Sequence, residues 1–513
     1  MAFRGRYRRC RFAILTLSAV LILPFGTARS ETYYISPDGN NATSCTAAQS
    51  PPTPKRTFAA AWECLRPGDV LIAKNGIYDE NLTPPPGKAG ESERPITVKA
   101  ESDGSAVING EAILIANSYL TFQGFRMKGK PGRSVFTIGS KDSVGTASHH
   151  IILQRMGLEC PLTGRSAHDG VCVDMGAGAH HNLLEDCWVW GGGRYTVMLY
   201  GRDSHGRVSV LGADFNTLRR LVLRMGPHVS SGGNPQAALS IYYGSNNLVE
   251  NVLVLDSEPN SNSSNAAFYV TAHSLPPEVS GNKFYGVIAL NTQGGSGFYL
   301  DVDRGGISSN TEIHDSVFWE STGGGVSIYN STASNNAGML IRHITVGRNG
   351  ANGYENHTEG VSVSSSIFYE NAGYGMNNGR RGSTSGYYNL IFGNARGARS
   401  NVAAGPNDIS RNPLLTYITR TEDKSPCNAR YGRTGCGADV TKRYLNGKKT
   451  AIDLWPWPNE DRIKKEMCAN TKRGFCAEGK RLDGSDPVTL TSYVWEYLGH
   501  ATPMEIYAGA ARR

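Results

Sequence analysis

The sequence predicts an all-β chain built as a coil of short parallel strands. Three observations carry this. A strand-like core recurs from residue 117 to 395, with starts about 22 to 35 residues apart. No run between the repeats is long and periodic enough for a helix. Gly and Asn crowd the joints, where tight corners need them. Each rung of such a coil buries its apolar face on its neighbours.

The chain opens with a secretory signature over residues 1–30. Arg4, Arg6, Arg8, Arg9 and Arg11 precede an apolar run, Phe12 to Phe25, and Ala28-Arg29-Ser30 offers a small-x-small cleavage site. The mature chain is expected to be exported, monomeric and without a membrane span. The net charge of +8 comes mostly from this segment, which holds six Arg and no acid; the remainder has 46 basic and 44 acidic residues. Residues 31–410 are weakly acidic and the tail is basic. Nucleic acid, which selects a basic face, is not expected as a partner.

Nine cysteines follow residue 30. In an exported chain they read as disulfides, with Cys45/Cys64, Cys427/Cys436 and Cys468/Cys476 as local pairs. Cys160, Cys172 and Cys187 supply one more pair and leave a free thiol, expected to be a buried apolar group rather than a nucleophile.

Residues 31–111 form an opening unit. Thr32 to Ser36 reads as a strand, Pro37 to Asn41 as a turn, and Thr57 as the cap of a helix from Phe58 to Leu65. Strands are expected at Val70 to Ala73, Ile77-Tyr78, Pro95 to Ala100 and Val107 to Gly110. Residues 112–410 form the coil. One strand per repeat is led by a polar residue, often Asn, as at Asn182, Asn216, Asn247 and Asn282; the last such core is Tyr387 to Leu390. Stacked Asn at the corners can bond one another, which gives them a structural role. Residues 411–513 carry two Cys-bracketed loops and helices near Glu460 to Met467 and Ser492 to Leu498. This C-terminal cap is expected to close the end of the coil or lie along it, because an open end exposes unpaired backbone. A second use for Trp455 and Trp457 is contact with sugar.

Each repeat also holds a second strand. Its inward residues are Val171/Val173, Val197/Leu199, Leu239/Ile241, Phe268/Val270, Phe298/Leu300 and Val326/Ile328. The outward residues then fall in columns. One holds Asp174, Tyr200, Tyr242, Thr271, Asp301 and Tyr329; its neighbour holds Cys172, Met198, Ser240, Tyr269, Tyr299 and Ser327. Arg202, His273, Asp303 and Arg304 stand at the edge, and His168 just before the first of these strands. Tyr rings among carboxylates and guanidinium groups suit a carbohydrate chain, because rings stack on C–H faces and charges bond hydroxyls or carboxylates. The opposing view is that a Tyr row simply stabilises the sheet.

The opening residues, Tyr34-Ile35-Ser36-Pro37-Asp38-Gly39-Asn40, the helix from Phe58, Pro67-Gly68-Asp69-Val70-Leu71-Ile72 and Gly76-Ile77-Tyr78, resemble the start of right-handed parallel β-helix proteins of the polysaccharide-lyase type, the alginate lyase and chondroitinase B-like chains. The resemblance covers roughly residues 31–410. It implies a right-handed, single-stranded parallel β-helix and cleavage of an acidic polysaccharide by β-elimination.

Such chemistry needs a cation to neutralise a uronate, a base for its C5 proton and an acid for the leaving oxygen. Arg202, Arg304, or a metal such as Ca2+ on Asp301 and Asp303, could supply the first. Tyr242 and His273 are the candidate base and acid. Asp174, Tyr200, Tyr269, Tyr299, Tyr329 and His168 are the candidate polysaccharide-binding residues. An epimerase would use the same groups and return the proton to the other face. A glycoside hydrolase would use two Asp, and a non-catalytic binding coil would use none. Lys283 is the only Lys between residues 142 and 410, a departure from the Lys-based lyases.

Overall fold

The computed structural model describes residues 29–139, 147–160, 171–176, 178–192, 194–201, 212–226, 236–258, 265–272, 278–302, 306–330, 338–415, 435–477 and 488–496. Within them the chain winds into a right-handed parallel β-helix. Three long sheets run its length, with 13, 12 and 11 strands among the described residues. The Asn-led strands form the 13-stranded sheet, from Thr32–Ile35 to Thr384–Tyr387. The second strands form the 11-stranded sheet.

The opening unit holds the expected strands at Val70–Ala73, Gly76–Tyr78 and Ile96–Ala100. Its helix is shorter than expected, Phe58–Trp62, with the Thr57 hydroxyl accepting the Ala60 N–H. Cys45–Cys64, Cys160–Cys172 and Cys468–Cys476 are bonded. Cys436 is also disulfide-bonded; its expected partner, Cys427, lies outside the described residues. Cys187 is free and buried, and burial pushes its thiol up to about 12. No helix of the described residues is long and apolar enough to cross a membrane.

Beyond the opening unit, where Ile77-Tyr78 and Val107 to Gly110 were expected and lie in the 12-stranded sheet, the third strand of the rungs is what the sequence reading missed. Trp188–Gly191, Val222–Met225, Leu253–Leu255, Ile288–Leu290 and Val317–Trp319 lie in the 12-stranded sheet. They do not alternate apolar with polar because both faces are covered. Val189, Leu223, Val254, Ala289 and Phe318 enter the core of the coil. Trp188, Trp190, Val222, Leu253, Ile288, Val317 and Trp319 meet the C-terminal tail instead. The tail therefore lies along the coil, one of its two expected placements. Carboxylates fasten it. Asp256 accepts from the Phe475 N–H and the Tyr493 hydroxyl, both at 2.7 Å. Glu466 accepts from Trp188 Nε1 at 3.0 Å and Arg462 Nε at 2.6 Å. Asp315 accepts from the Tyr444 hydroxyl at 2.5 Å and Lys449 at 3.0 Å. Burial opposes the charge of Asp315, but the His314 and Lys449 contacts outweigh it and hold the carboxyl below its ordinary range. Trp457 is buried in this seam, and Trp455 Nε1 donates to the Val440 carbonyl. Both rings pack the tail; burial of Trp457 corrects its reading as a sugar contact, while Trp455 is half-buried.

Stacking at the strand spacing of about 4.8 Å lets like side chains meet like. Asn182, Asn216, Asn247 and Asn282 form a buried ladder, each Nδ2 donating to the next Oδ1 at 2.9, 3.2 and 3.1 Å. Each Oδ1 also accepts the backbone N–H of the preceding Asn. Asn349, Asn371 and Asn394 repeat the device. The expected core from Tyr387 to Leu390 is not one strand: Tyr388 has φ 60°, so the chain turns there and Leu390 starts the next sheet.

At the corner before the 13-stranded sheet, His150 and His181 stack at 5.2 Å between Tyr119 and Phe215. His149 and His180 stack beside them at 4.9 Å. His149 and His150 share a ring-nitrogen contact of 2.8 Å, His180 and His181 one of 2.9 Å. Burial, then mutual repulsion, lowers the pKa of His149, His150 and His180.

Two predictions follow from these ladders. Asn216→Ala strands the Asn182 donors and the Ala179 carbonyl, and should cost roughly 2–4 kcal/mol in urea unfolding, at about 1–3 per unsatisfied buried group. A loss under ~1 would show that the ladder is not a stabilising element. The lowered pKa values of His149, His150 and His180 should make stability fall with acid. The unfolded chain binds more protons below its ordinary His pKa of about 6.5, so the contribution is whole above that pH and is lost as pH falls through the lower folded values. The thermal midpoint should drop from pH ~7 to ~5, and less steeply in His150→Asn/His181→Asn. An unchanged slope in that double variant would refute the assignment.

Candidate functional site

The 11-stranded sheet presents its outer face as predicted for most rungs. Tyr200 pairs with Tyr242, Tyr242 with Thr271, Thr271 with Asp301, and Asp301 with Tyr329. In the neighbouring column Met198, Ser240, Tyr269, Tyr299 and Ser327 are in register, and Glu355 and Asn377 continue it. The inward residues Val197, Leu199, Leu239, Ile241, Phe268, Val270, Phe298, Leu300, Val326 and Ile328 are buried.

One rung needs correction. Asp174 pairs with Met198, not Tyr200, because Val173 pairs with Val197 and Met175 with Leu199. Val171, Val173 and Met175 are all apolar, so the sequence fits both registers. A slip of two residues preserves the face and moves Asp174 one column across.

The columns differ in exposure along the coil. Tyr269 and Thr271 are fully covered, and Tyr242 is buried against Tyr200 and Tyr243, with centroids 5.4 and 4.8 Å away. Tyr299 and Asp301 are half-buried, and Tyr329 is 37% exposed. Tyr200, Tyr242, Thr271 and Asp301 therefore do not form one open groove. The open part of the face lies on the later rungs. There the rings run as a ladder: Tyr269 on Tyr299 at 5.5 Å, Tyr299 near Tyr329 at 5.4 Å, and Tyr329 on His357 at 4.4 Å. The Tyr269 hydroxyl donates to Asp301 Oδ2 at 3.2 Å. Burial, then the Asp301 charge, raises its pKa well above the ordinary value. Tyr329 is raised too, by burial and Glu355.

Glu355 and His357 carry chemistry that the sequence reading missed. Glu355 Oε1 takes His357 Nε2 at 2.7 Å, and both its oxygens take Asn377 Nδ2, at 2.9 and 2.8 Å. Asn352 also donates to it. The signal that would have found them is the rung Tyr354-Glu355-Asn356-His357, one repeat beyond the aligned set. Beside Glu355 a cleft of about 360 Å³ opens, lined by Asn265, Ser296, Tyr299, Ser327, Tyr329 and Asn352, with Gly295, Gly323 and Gly324 as a wall free of side chains.

Of the expected catalytic groups, Tyr242 is described; Arg202, His273 and Arg304 lie outside the described residues, as do His168 and Asp303. In sequence, Arg202, His273 and Arg304 directly follow the strands Tyr195–Tyr200, Asn265–Ala272 and Gly295–Val302. Asp301 accepts from Tyr269, and among the described residues no group of three or more His, Cys, Asp or Glu is placed to hold a metal.

The Chondroitinase B family profile matches residues 54–201. Pectate lyase L of Dickeya dadantii (strain 3937) is 25% identical over 146 residues, 25% of this chain and 33% of that protein, so the chain spans about a third of the curated relative. Among solved structures, XylC with xylose aligns with a TM-score of 0.48 at 10% identity, over 75% of this chain and 87% of that one. The PL6 family alginate lyase AlyGC aligns at 0.45 and 12%, over 80% and 56%. The sequence matches make the chain similar to polysaccharide-lyase-type β-helix proteins over its first rungs, and the profile match ends before the Tyr299–Glu355 cleft.

Proposed function

We propose that this is an exported, carbohydrate-active β-helix protein that cleaves an acidic polysaccharide by β-elimination. The observation that carries the reading is the run of Tyr299, Tyr329 and His357 rings, the outer two half-buried and Tyr329 exposed, with Asp301 and Glu355 on the same outer face. Rings at the strand spacing offer faces to sugar rings, and carboxylates accept hydroxyls. The Chondroitinase B match over residues 54–201 and the disulfides support β-elimination and export.

In the proposed reaction a guanidinium from Arg304 or Arg202 neutralises the uronate carboxylate and acidifies C5–H. His273 or Tyr242 takes that proton. The C4–O bond then breaks, the C4=C5 double bond forms, and the second of the two groups protonates the departing oxygen. Asp301 and Asp303 are the residues that would hold Ca2+, whose charge would act on the same carboxylate.

The test is a screen of acidic polysaccharides for the ultraviolet absorbance of an unsaturated uronate end. Absorbance growth is expected on at least one polymer. Arg304→Ala should slow it roughly 10²–10³-fold, as for loss of one charge-stabilising donor, and His273→Ala or Tyr242→Phe about 10²–10⁴-fold. New reducing ends without absorbance would replace elimination by hydrolysis. Full activity in all three variants would remove these residues from the reaction.

A further inference from the structure

We infer that the cleft between Asn265 and Glu355 is a subsite for an uncharged sugar residue, so that the glycan carries uncharged units alongside its acidic ones. This rests on the reading that the outer face binds glycan, and it names what one part of that face selects. The described lining offers the Asn352 amide, hydroxyls from Ser296 and Ser327, the rings of Tyr299 and Tyr329, and the Glu355 carboxylate, while the Asn265 amide is buried and bonded to Gln236 and Gln293; none of these described lining residues is Lys or Arg.

Glu355 is fixed where it stands. Asn377, Asn352 and His357 all donate to it, so its oxygens point at donors and it cannot swing away from a ligand without breaking them. Asp301 adds a second negative charge on the adjoining column, one rung before Tyr329. A uronate placed here would set its carboxylate beside fixed like charge with no cation among the lining groups. A hexose or N-acetylhexosamine would instead donate hydroxyls to Glu355 and the Asn352 oxygen and lay a C–H face on Tyr329. The glycine wall of Gly295, Gly323 and Gly324 leaves room for the ring.

The test measures binding, not turnover. Hexamers of β-linked glucose and of N-acetylglucosamine, and hexamers of mannuronate and galacturonate, are titrated onto the full chain by calorimetry at two salt concentrations. At least one uncharged hexamer should bind with little salt dependence. Tyr329→Ala and Glu355→Ala should each weaken it tenfold or more, with far-UV circular dichroism unchanged. Glu355→Gln, which keeps the side-chain shape, guards against a folding defect and should also weaken binding. Failure of every uncharged hexamer to bind, their binding unaltered in these variants, or oligouronate binding that depends on Tyr329 and Glu355 overturns the inference. Uncharged binding that the variants weaken, with no unsaturated product from any polymer, leaves the subsite standing and removes β-elimination. Unsaturated product together with variant-insensitive binding does the reverse.

Discussion

Every feature of this molecule depends on one constraint: parallel strands stacked in register at the hydrogen-bonding distance. Once Val173 pairs with Val197 and Val197 with Leu239, a side chain on one rung has no choice but to meet its counterpart on the next. The same geometry makes an amide ladder from Asn182 to Asn282, an imidazole stack at the corner and a run of rings from Tyr269 to His357. Which of these results depends only on which residue recurs at that position. Buried amides become structure because each satisfies the next. Rings on the outer face become a surface because nothing is required to cover them.

That constraint also explains what could be read from the sequence. Asn-led strands and the Tyr and Asp columns were legible because they alternate, and a period of two marks a strand with one wet face. The third strand of the rungs past the opening unit was not, because Trp188-Val189-Trp190 and Val317-Phe318-Trp319 are apolar throughout. Their outward residues face the tail, some hundreds of residues away in the chain, and local pattern carries no trace of a partner so distant. The Asp174 register was lost for a related reason. Val171, Val173 and Met175 are interchangeable to a pattern, and only the pairing with Val197 separates them.

The site was legible in part. The columns told which residues share a face but not which are reachable, since Tyr269 and Tyr299 occupy equivalent positions and only the second is open. Glu355 and His357 escaped notice because their rung turns Tyr354 and Asn356 inward, and an alignment built on inward apolar residues passes over a buried Asn. Their partners, Asn352 and Asn377, come from the loop before the strand and from the following rung, a convergence that exists only in the wound chain.

The seam between tail and coil has a temporal consequence. Asp256, Asp315 and Glu466 tie residues beyond 440 to rungs laid down much earlier in the chain. A coil of nearest-neighbour rungs can wind progressively from its first turn as the polypeptide emerges. Its Trp188, Leu253 and Trp319 flank cannot be sealed until the last residues arrive. A growing chain therefore carries an unsealed, tryptophan-lined stripe until the tail has been made. A chain cut short before Val440 would retain that stripe permanently, a natural handle for quality-control factors that recognise exposed apolar surface.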